Sequence, residues 1–84
     1  MDLHQQIGNI KSKEDLADFV AALRLDLEAN PEEWENPTLE RFFSAMEDWI
    51  RSIDQWCENT GQPPVEVPSW RTLADILYAS KMYE

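Results

Sequence analysis

The sequence predicts an all-α protein: a compact, irregular bundle of three main helices, at about residues 12–29, 37–60 and 69–82, joined by proline-rich connectors. Apolar residues recur every three to four positions within these segments, which is the period of one face of an α-helix. No segment shows the alternation of β-branched and polar residues that is typical of a strand. The 84 residues are enough for one hydrophobic core but not for two.

The first predicted helix has clear signals at both ends. Ser12 is a suitable N-cap, and Asp15 three residues later is the acidic member of a capping-box pattern. Asn30-Pro31 ends the helix, because proline disfavours helical geometry in the residue before it. One apolar face lies between these limits and is made by Leu16, Phe19, Val20, Leu23 and Leu27.

The residues before Ser12 are polar and include Gly8 and Asn9. We therefore expect residues 1–11 to be a loosely ordered lead-in or a short extra turn. A single helical domain then spans residues 12–84.

The second predicted helix organises the fold. Asn36 is a good N-cap, Pro37 a good first helical residue and Gly61 a typical C-terminal stop. We expect one narrow arc of this helix to face the core, made by Leu39, Phe43, Met46, Ile50, Ile53 and Cys57. An aromatic row lies along one flank of that arc and consists of Phe42, Trp49 and Trp56.

The third predicted helix begins after Ser69, another residue that favours the N-cap position. Its main apolar face is made by Trp70, Leu73, Ala74 and Leu77. More apolar surface surrounds that face, contributed by Ile76, Tyr78, Met82 and Tyr83. A terminal helix that is apolar nearly all round lies in the centre of a core or forms part of an interface.

The net charge of −10 restricts the classes of partner. Binding to nucleic acid needs clustered cations, and anionic membranes attract basic segments, so we expect neither partner. A basic protein is an acceptable partner, although solubility alone explains the acidity. Residues 1–10 have no signal-peptide pattern, and no apolar stretch approaches the roughly 18 residues of a membrane span. With the single Cys57 excluding an internal disulfide, we expect a cytoplasmic protein.

The sequence offers no group of residues suited to catalysis, so we expect no enzyme activity. His4 is the only histidine and lies in the polar lead-in, whereas a catalytic base needs a rigid setting. Cys57 lies on the apolar arc of the second helix, where we expect a buried small hydrophobe. A calcium loop beginning at Asp26 fails at Pro31 and Pro37, which replace the required glycine and glutamate. We expect no cofactor-binding or metal-binding residues.

Three arginines have a carboxylate four residues away on a predicted helix: Arg24 with Glu28, Arg51 with Glu47, and Arg71 with Asp75. We expect surface ion pairs worth about 0.2–0.5 kcal/mol each. None of them requires a ligand.

Two features are candidates for an interface. The aromatic row of Phe42, Trp49 and Trp56 is explained either by core packing or by a binding surface, where Trp and Tyr are common. The acidic connector around Trp34 is explained either by a solvated loop or by a docking patch for a basic partner. The remaining candidate residues are Glu32, Glu33 and Glu35 of this connector and Tyr78 and Tyr83 of the third helix.

Two stretches of the chain carry a family resemblance. Residues 16–37 read LADFVAALRLDLEANPEEWENP, residues 68–77 read PSWRTLADIL, and the chain closes with Tyr83-Glu84. With these motifs the chain resembles a family of small bacterial proteins that is catalogued as a domain of unknown function. The resemblance covers nearly all of the chain after Lys11. It implies a bacterial cytosolic protein and brings no activity or catalytic residues with it.

The leading functional hypothesis is a non-enzymatic interaction protein, acting as a homo-oligomer or as an adaptor. A sharper version is an acidic inhibitor or immunity-type protein that covers the basic site of a toxin or nuclease, based on the charge and the aromatic residues. The competing class is an enzyme with a carboxylate-based site, which requires a pair of inward-facing Asp or Glu residues.

Overall fold

The computed structural model describes residues 2–65 and 67–82, and within these ranges the chain forms helices and no strands. The helices are α1 Leu3–Ile7, α2 Lys13–Ala29, α3 Leu39–Arg51, α4 Ile53–Asn59 and α5 Trp70–Met82, with a 3-10 turn at Pro31–Glu33 between α2 and α3. The all-α prediction is therefore confirmed. The prediction of three main helices is wrong, because the described residues form five.

Local capping explains where α2 begins and ends. The Ser12 hydroxyl accepts a hydrogen bond from the Asp15 backbone N–H at 3.1 Å, as the capping-box pattern predicts. The Asp15 carboxylate accepts the Lys11 N–H at 3.0 Å, one residue earlier than expected. At the other end the helix stops at Ala29, directly before Asn30-Pro31.

The second predicted helix, at about 37–60, is in fact two helices that meet at Ser52. Ser52 has a backbone ψ of 6°, so it leaves helical geometry, and α4 begins at the next residue. The N-cap of α3 is Thr38, whose hydroxyl accepts the Arg41 N–H at 3.3 Å. Asn36, predicted for that role, is buried, and its side chain donates instead to the Ser80 carbonyl at 3.1 Å.

The predicted stop at Gly61 is present. Gly61 has a φ of +72°, a left-handed conformation that glycine adopts without steric cost. The Gly61 N–H donates to the Glu58 carbonyl at 3.3 Å and the Gln62 N–H donates to the Cys57 carbonyl at 2.8 Å. These two bonds form a Schellman motif, which satisfies the last carbonyls of α4.

Helix α3 turns a different face to the core than the sequence predicts. Leu39, Phe43 and Ile50 of the predicted arc are 69%, 56% and 45% exposed, whereas Ala45 and Trp49 are buried. Helix α5 packs more extensively against α3 than against any other helix. Because aromatic rings bury more apolar area than aliphatic chains, the flank with the aromatic row is the one that becomes covered. Three further side chains expected in the core are also exposed: Val20, Trp70 and Leu73.

The N-terminal segment contributes to the core. Of the two alternatives for residues 1–11, a short extra turn is what the structure forms over Leu3–Ile7, and α1 packs against α2 and α5. One cluster of buried apolar side chains includes Ile7, Ile10, Phe19, Leu23, Trp34 and Ala74. The division between a lead-in and a domain over 12–84 stays a prediction.

An ion pair between a buried lysine and a partly buried aspartate joins the last turn of α5 to the last turn of α2. Lys81, only 9% exposed, donates from Nζ to the Asp26 carboxylate at 2.9 Å, across 55 residues of sequence. The same carboxylate accepts the Trp34 indole N–H at 2.8 Å and the Asn30 side-chain amide at 3.4 Å. Nζ of Lys81 also lies 5.4 Å from the centre of the Trp34 ring. The hydrogen bond from Lys81 holds the pKa of Asp26 below its usual value, because it outweighs the opposing effect of burial.

Removing one member of this pair should destabilise the fold strongly. We expect Lys81→Met or Asp26→Asn alone to lower the free energy of unfolding by roughly 3 kcal/mol, because each leaves a buried group without its charged partner. The double variant should lose at least about 1 kcal/mol less than the sum of the two single variants, because that sum counts the loss of the one Lys81–Asp26 interaction twice. Urea denaturation followed by circular dichroism measures all three. Arg24→Met with Glu28→Gln, an exposed pair, is the control and should cost under about 0.5 kcal/mol. Strict additivity at Asp26 and Lys81 would contradict the coupling.

Acid should weaken the fold through the same carboxylate. Because the pKa of Asp26 is lowered from 3.8, its stabilising contribution is complete above pH 3.8 and is lost as the pH falls through the folded-state value. We expect the free energy of unfolding of the wild type to fall towards that of Asp26→Asn between about pH 5 and about pH 2. Urea titrations across this range measure the difference. A difference that stays constant would show that Asp26 is not the titrating group.

Candidate functional site

Two of the concave sites among the described residues have mainly aromatic or apolar walls, and we call the larger of these two the aromatic pocket. It has a volume of about 590 Å³ and lies between α1, α3, α4 and α5. Its walls include a buried and a half-buried indole, and its polar groups come from α1, from α5 and from Gln62 in the connector between α4 and α5. The residues that matter for its chemistry are His4, Trp49, Trp56, Arg71, Asp75 and Tyr78.

Helical spacing builds the walls of the aromatic pocket. Trp49 at the end of α3 and Trp56 in α4 are seven residues apart, and their ring centres lie 5.3 Å from each other across the break at Ser52. Arg71, Asp75 and Tyr78 are four and three residues apart, so they share one face of α5. Helix α1 completes the pocket with His4, whose ring centre is 5.9 Å from that of Tyr78.

Asp75 is the distinctive polar group of the aromatic pocket. Burial raises the pKa of its carboxyl above the usual value of 3.8, and the charges of Arg71 and His4 oppose the shift only in part. The predicted ion pairs Arg24–Glu28 and Arg51–Glu47 are present, at 3.5 Å and 2.9 Å. No ion pair within 4.0 Å joins Arg71 to Asp75, although both lie in the described part of the chain, so this third expectation was wrong.

The second site is an apolar groove of about 300 Å³ between α2, the connector after it, the start of α3 and α5. Its lining includes Val20, Leu27, Trp34, Leu39, Phe42 and Leu77. Trp34 forms the floor: it is buried, its ring stacks on Phe42 at 6.1 Å between ring centres, and its N–H is held by Asp26. By contrast, Leu39 is 69% and Val20 45% exposed, so part of the lining is open to water.

The candidate interface residues fall into different environments. Trp34 and Trp49 are buried, and Phe42, Trp56 and Tyr78 are half-buried. Glu32, Glu33 and Glu35 are exposed, and Tyr83 lies outside the described residues. The aromatic row thus makes contacts inside the chain, while the acidic connector faces water. The buried Cys57 matches its expectation.

The sequence does not predict two groups of residues that the structure brings together, the lining of the aromatic pocket and the lining of the apolar groove. His4 belongs to the polar segment before Ser12, for which the sequence predicts no functional role, yet α1 places it in the lining of a pocket that Asp75 also lines. The spacing of Arg71, Asp75 and Tyr78 was the available signal, because it places three functional side chains on one helix face. No sequence pattern indicates the apolar groove, because helical spacing predicts that Val20 and Leu39 face the core.

Neither a metal-binding cluster nor a membrane-spanning helix occurs within residues 2–65 and 67–82. In these ranges no three His, Cys, Asp or Glu side chains come close enough to hold a metal ion. None of the helices there has the length and apolar character needed to cross a membrane.

The fold and sites define a small, acidic, all-α domain whose concave sites include the aromatic pocket and the apolar groove. The chain belongs to a family of unknown function, DUF7660, whose model matches residues 12–84. The predicted membership of such a family is therefore confirmed, and its bacterial origin stays an expectation. The matched region contains the whole apolar groove, whereas His4 of the aromatic pocket precedes it. No curated protein and no solved structure matches the chain.

Replacing Asp75 should stabilise the protein. The raised pKa of Asp75 means that its cost to folding is absent below pH 3.8 and develops as the pH rises through the folded-state value. We expect Asp75→Asn to raise the free energy of unfolding at pH 7 by roughly 0.5 kcal/mol, a modest gain because water still screens a half-buried charge. Urea denaturation measures it, with the exposed Asp18→Asn as control. A loss of stability would reveal a structural role for Asp75.

Proposed function

We propose that this chain is a non-enzymatic protein–protein interaction domain, which docks an apolar, basic segment of a partner protein in its apolar groove. The observation that carries the proposal is the exposure of Leu39 and Val20 beside the buried floor of Trp34. Covering apolar surface contributes about 25 cal/mol per Å², so a partner that covers these side chains gains free energy.

The distribution of charge around the groove supports a basic partner. Arg24, which lines the groove, pairs with Glu28, and Arg41, next in sequence to the lining residue Phe42, pairs with Glu35 and donates to the Glu35 carbonyl. Three exposed carboxylates on the connector and the start of α3 have no ion pair in the described part of the chain: Glu32, Glu33 and Glu40. Their field chiefly raises the association rate of a cationic segment.

The same charge argues against a second copy as the occupant. Each copy carries a net charge of −10, and like charges of this size repel. An inhibitor that covers a basic site on a toxin or nuclease is one form of the proposal and has the same electrostatic support. A paired-carboxylate enzyme has less support, because Asp75 is the one carboxylate among the described residues that line the aromatic pocket.

The shape of the apolar surface suits a helical segment. Leu39, Phe43 and Ile50 lie at positions i, i+4 and i+11 of α3, so the exposed apolar surface continues from the groove along one side of this helix. An amphipathic helix presents anchors at i, i+3, i+4 and i+7, which matches an elongated apolar surface.

A peptide titration tests the proposal. The probes are two synthetic amphipathic helices with identical leucine faces, one with lysine and one with glutamate on the polar face. We expect the lysine peptide to bind and to shift the Trp34 indole and Leu39 amide signals in a nitrogen–proton NMR spectrum, with an affinity that falls as salt is added. The glutamate peptide should bind at least about tenfold more weakly.

Groove variants separate docking from plain charge attraction. Val20→Ser with Leu39→Ser should weaken the lysine peptide about tenfold, because two apolar anchors are lost. Leu25→Ser is the matched control: Leu25 is 55% exposed on α2 but does not line the groove. Equal weakening by both variants would overturn docking in the groove. A wild-type dimer in light scattering that the Val20/Leu39 variant abolishes would show a second copy as occupant and overturn the basic partner.

A further inference from the structure

Two carboxylates of the chain stand beside tryptophan rings, and they differ in their partners. Asp26 accepts hydrogen bonds from Lys81, Trp34 and Asn30, with the ammonium 5.4 Å from the indole centre. Asp75 lines the aromatic pocket together with Trp49 and Trp56, yet its carboxylate makes no hydrogen bond or ion pair within the described ranges. The pocket therefore holds the carboxylate and the indoles of the first arrangement, whereas its one arginine, Arg71, forms no ion pair with Asp75.

We propose that the aromatic pocket binds a small organic cation, in which an ammonium group is carried on an aromatic or apolar body. The ammonium pairs with the Asp75 carboxylate and faces the indole rings, as the ammonium of Lys81 does with Asp26 and Trp34. The apolar body fills the space beside Trp49, Trp56 and Tyr78.

The free-energy cost of burying the ionised Asp75 carboxylate supports a cationic ligand. Burial raises the pKa of its carboxyl, so the ionised form is held at a free-energy cost that the charges of Arg71 and His4 offset only in part. A cation placed next to the carboxylate removes that cost, and a perturbed carboxyl in a cleft is a recognised mark of a functional site.

The walls and the volume of the aromatic pocket also support the binding of a small organic cation. Indole is the aromatic ring that attracts cations best, and the two indoles lie 5.3 Å apart, tilted by 57°. The volume of about 590 Å³ falls within the range of roughly 300–1,000 Å³ that is usual for small-molecule sites.

The other charges at the pocket work in opposite directions. Arg71 is exposed and its charge acts on Asp75 from a distance, as does that of His4, so both weaken the attraction of a cation. The net charge of −10 acts over a longer range and concentrates cations around the molecule. An anionic ligand has Arg71 in its favour but meets Asp75 and the overall negative field.

Three probes with one apolar body distinguish the ligand classes: 2-phenylethylammonium, 2-phenylethanol and phenylacetate. The readout is the indole N–H signals of Trp49 and Trp56, with those of Trp34 and Trp70 as internal references, because neither of these two lines the pocket. We expect the ammonium probe to bind in the millimolar range and about tenfold more tightly than the alcohol, with phenylacetate the weakest. Equal binding of ammonium and alcohol, tighter binding of phenylacetate, or no shift at Trp49 and Trp56 would each overturn the proposal.

Variants assign the preference to Asp75. Asp75→Asn should make the ammonium and alcohol probes bind equally, while Arg71→Gln should strengthen ammonium binding about threefold by removing a like charge. A preference that survives in Asp75→Asn would overturn the role of this carboxylate. Val20→Ser with Leu39→Ser should bind the ammonium probe as the wild type does, so this site and the apolar groove succeed or fail separately.

Discussion

The buried ammonium group of Lys81 is the constraint on which the arrangement of the helices depends. A charged group out of water is tolerated only with a partner, and this partner, Asp26, lies 55 residues earlier in the chain. The pair fixes the last turn of α5 against the last turn of α2. Trp34 joins through its own bond to Asp26 and thereby fixes the connector between α2 and α3. The apolar groove has Trp34 as its floor, and the face of α5 that bears Asp75 and Tyr78 forms a wall of the aromatic pocket.

Local signals in the sequence located several helix ends, because caps act within a few residues. Ser12, the Asn30-Pro31 step and Gly61 each act where they were expected to act. The prediction that Asn36 caps α3 is wrong. Its side-chain amide donates to the distant Ser80 carbonyl, and Thr38 caps α3 instead. The break at Ser52 carries no proline or glycine, so the pattern of residues alone continues smoothly through it.

Contacts between distant segments decide which side of α3 faces the core, and they also form the aromatic pocket and the apolar groove. The periodicity of apolar residues in the sequence carries no information about such contacts. The helix has two apolar flanks, and only the position of α5 decides that Trp49 is covered while Phe43 and Ile50 are not. His4 and Asp75 are likewise 71 positions apart in the sequence yet line one cavity. The four-residue spacing of Arg71 and Asp75 predicts a surface ion pair. In the structure Asp75 is half-buried and forms no ion pair with Arg71.

The seclusion of Lys81 also makes its amine chemistry informative. Lys11 and Lys13 are exposed, so an acylating reagent reaches them in the folded state, whereas the amine of Lys81 reacts only when α5 separates from α2 and releases it. Mass spectrometry of peptides from briefly labelled protein distinguishes these lysines. The acylation rate of Lys81, relative to that of Lys11 and Lys13, therefore serves as a clock for the opening of this helix pair.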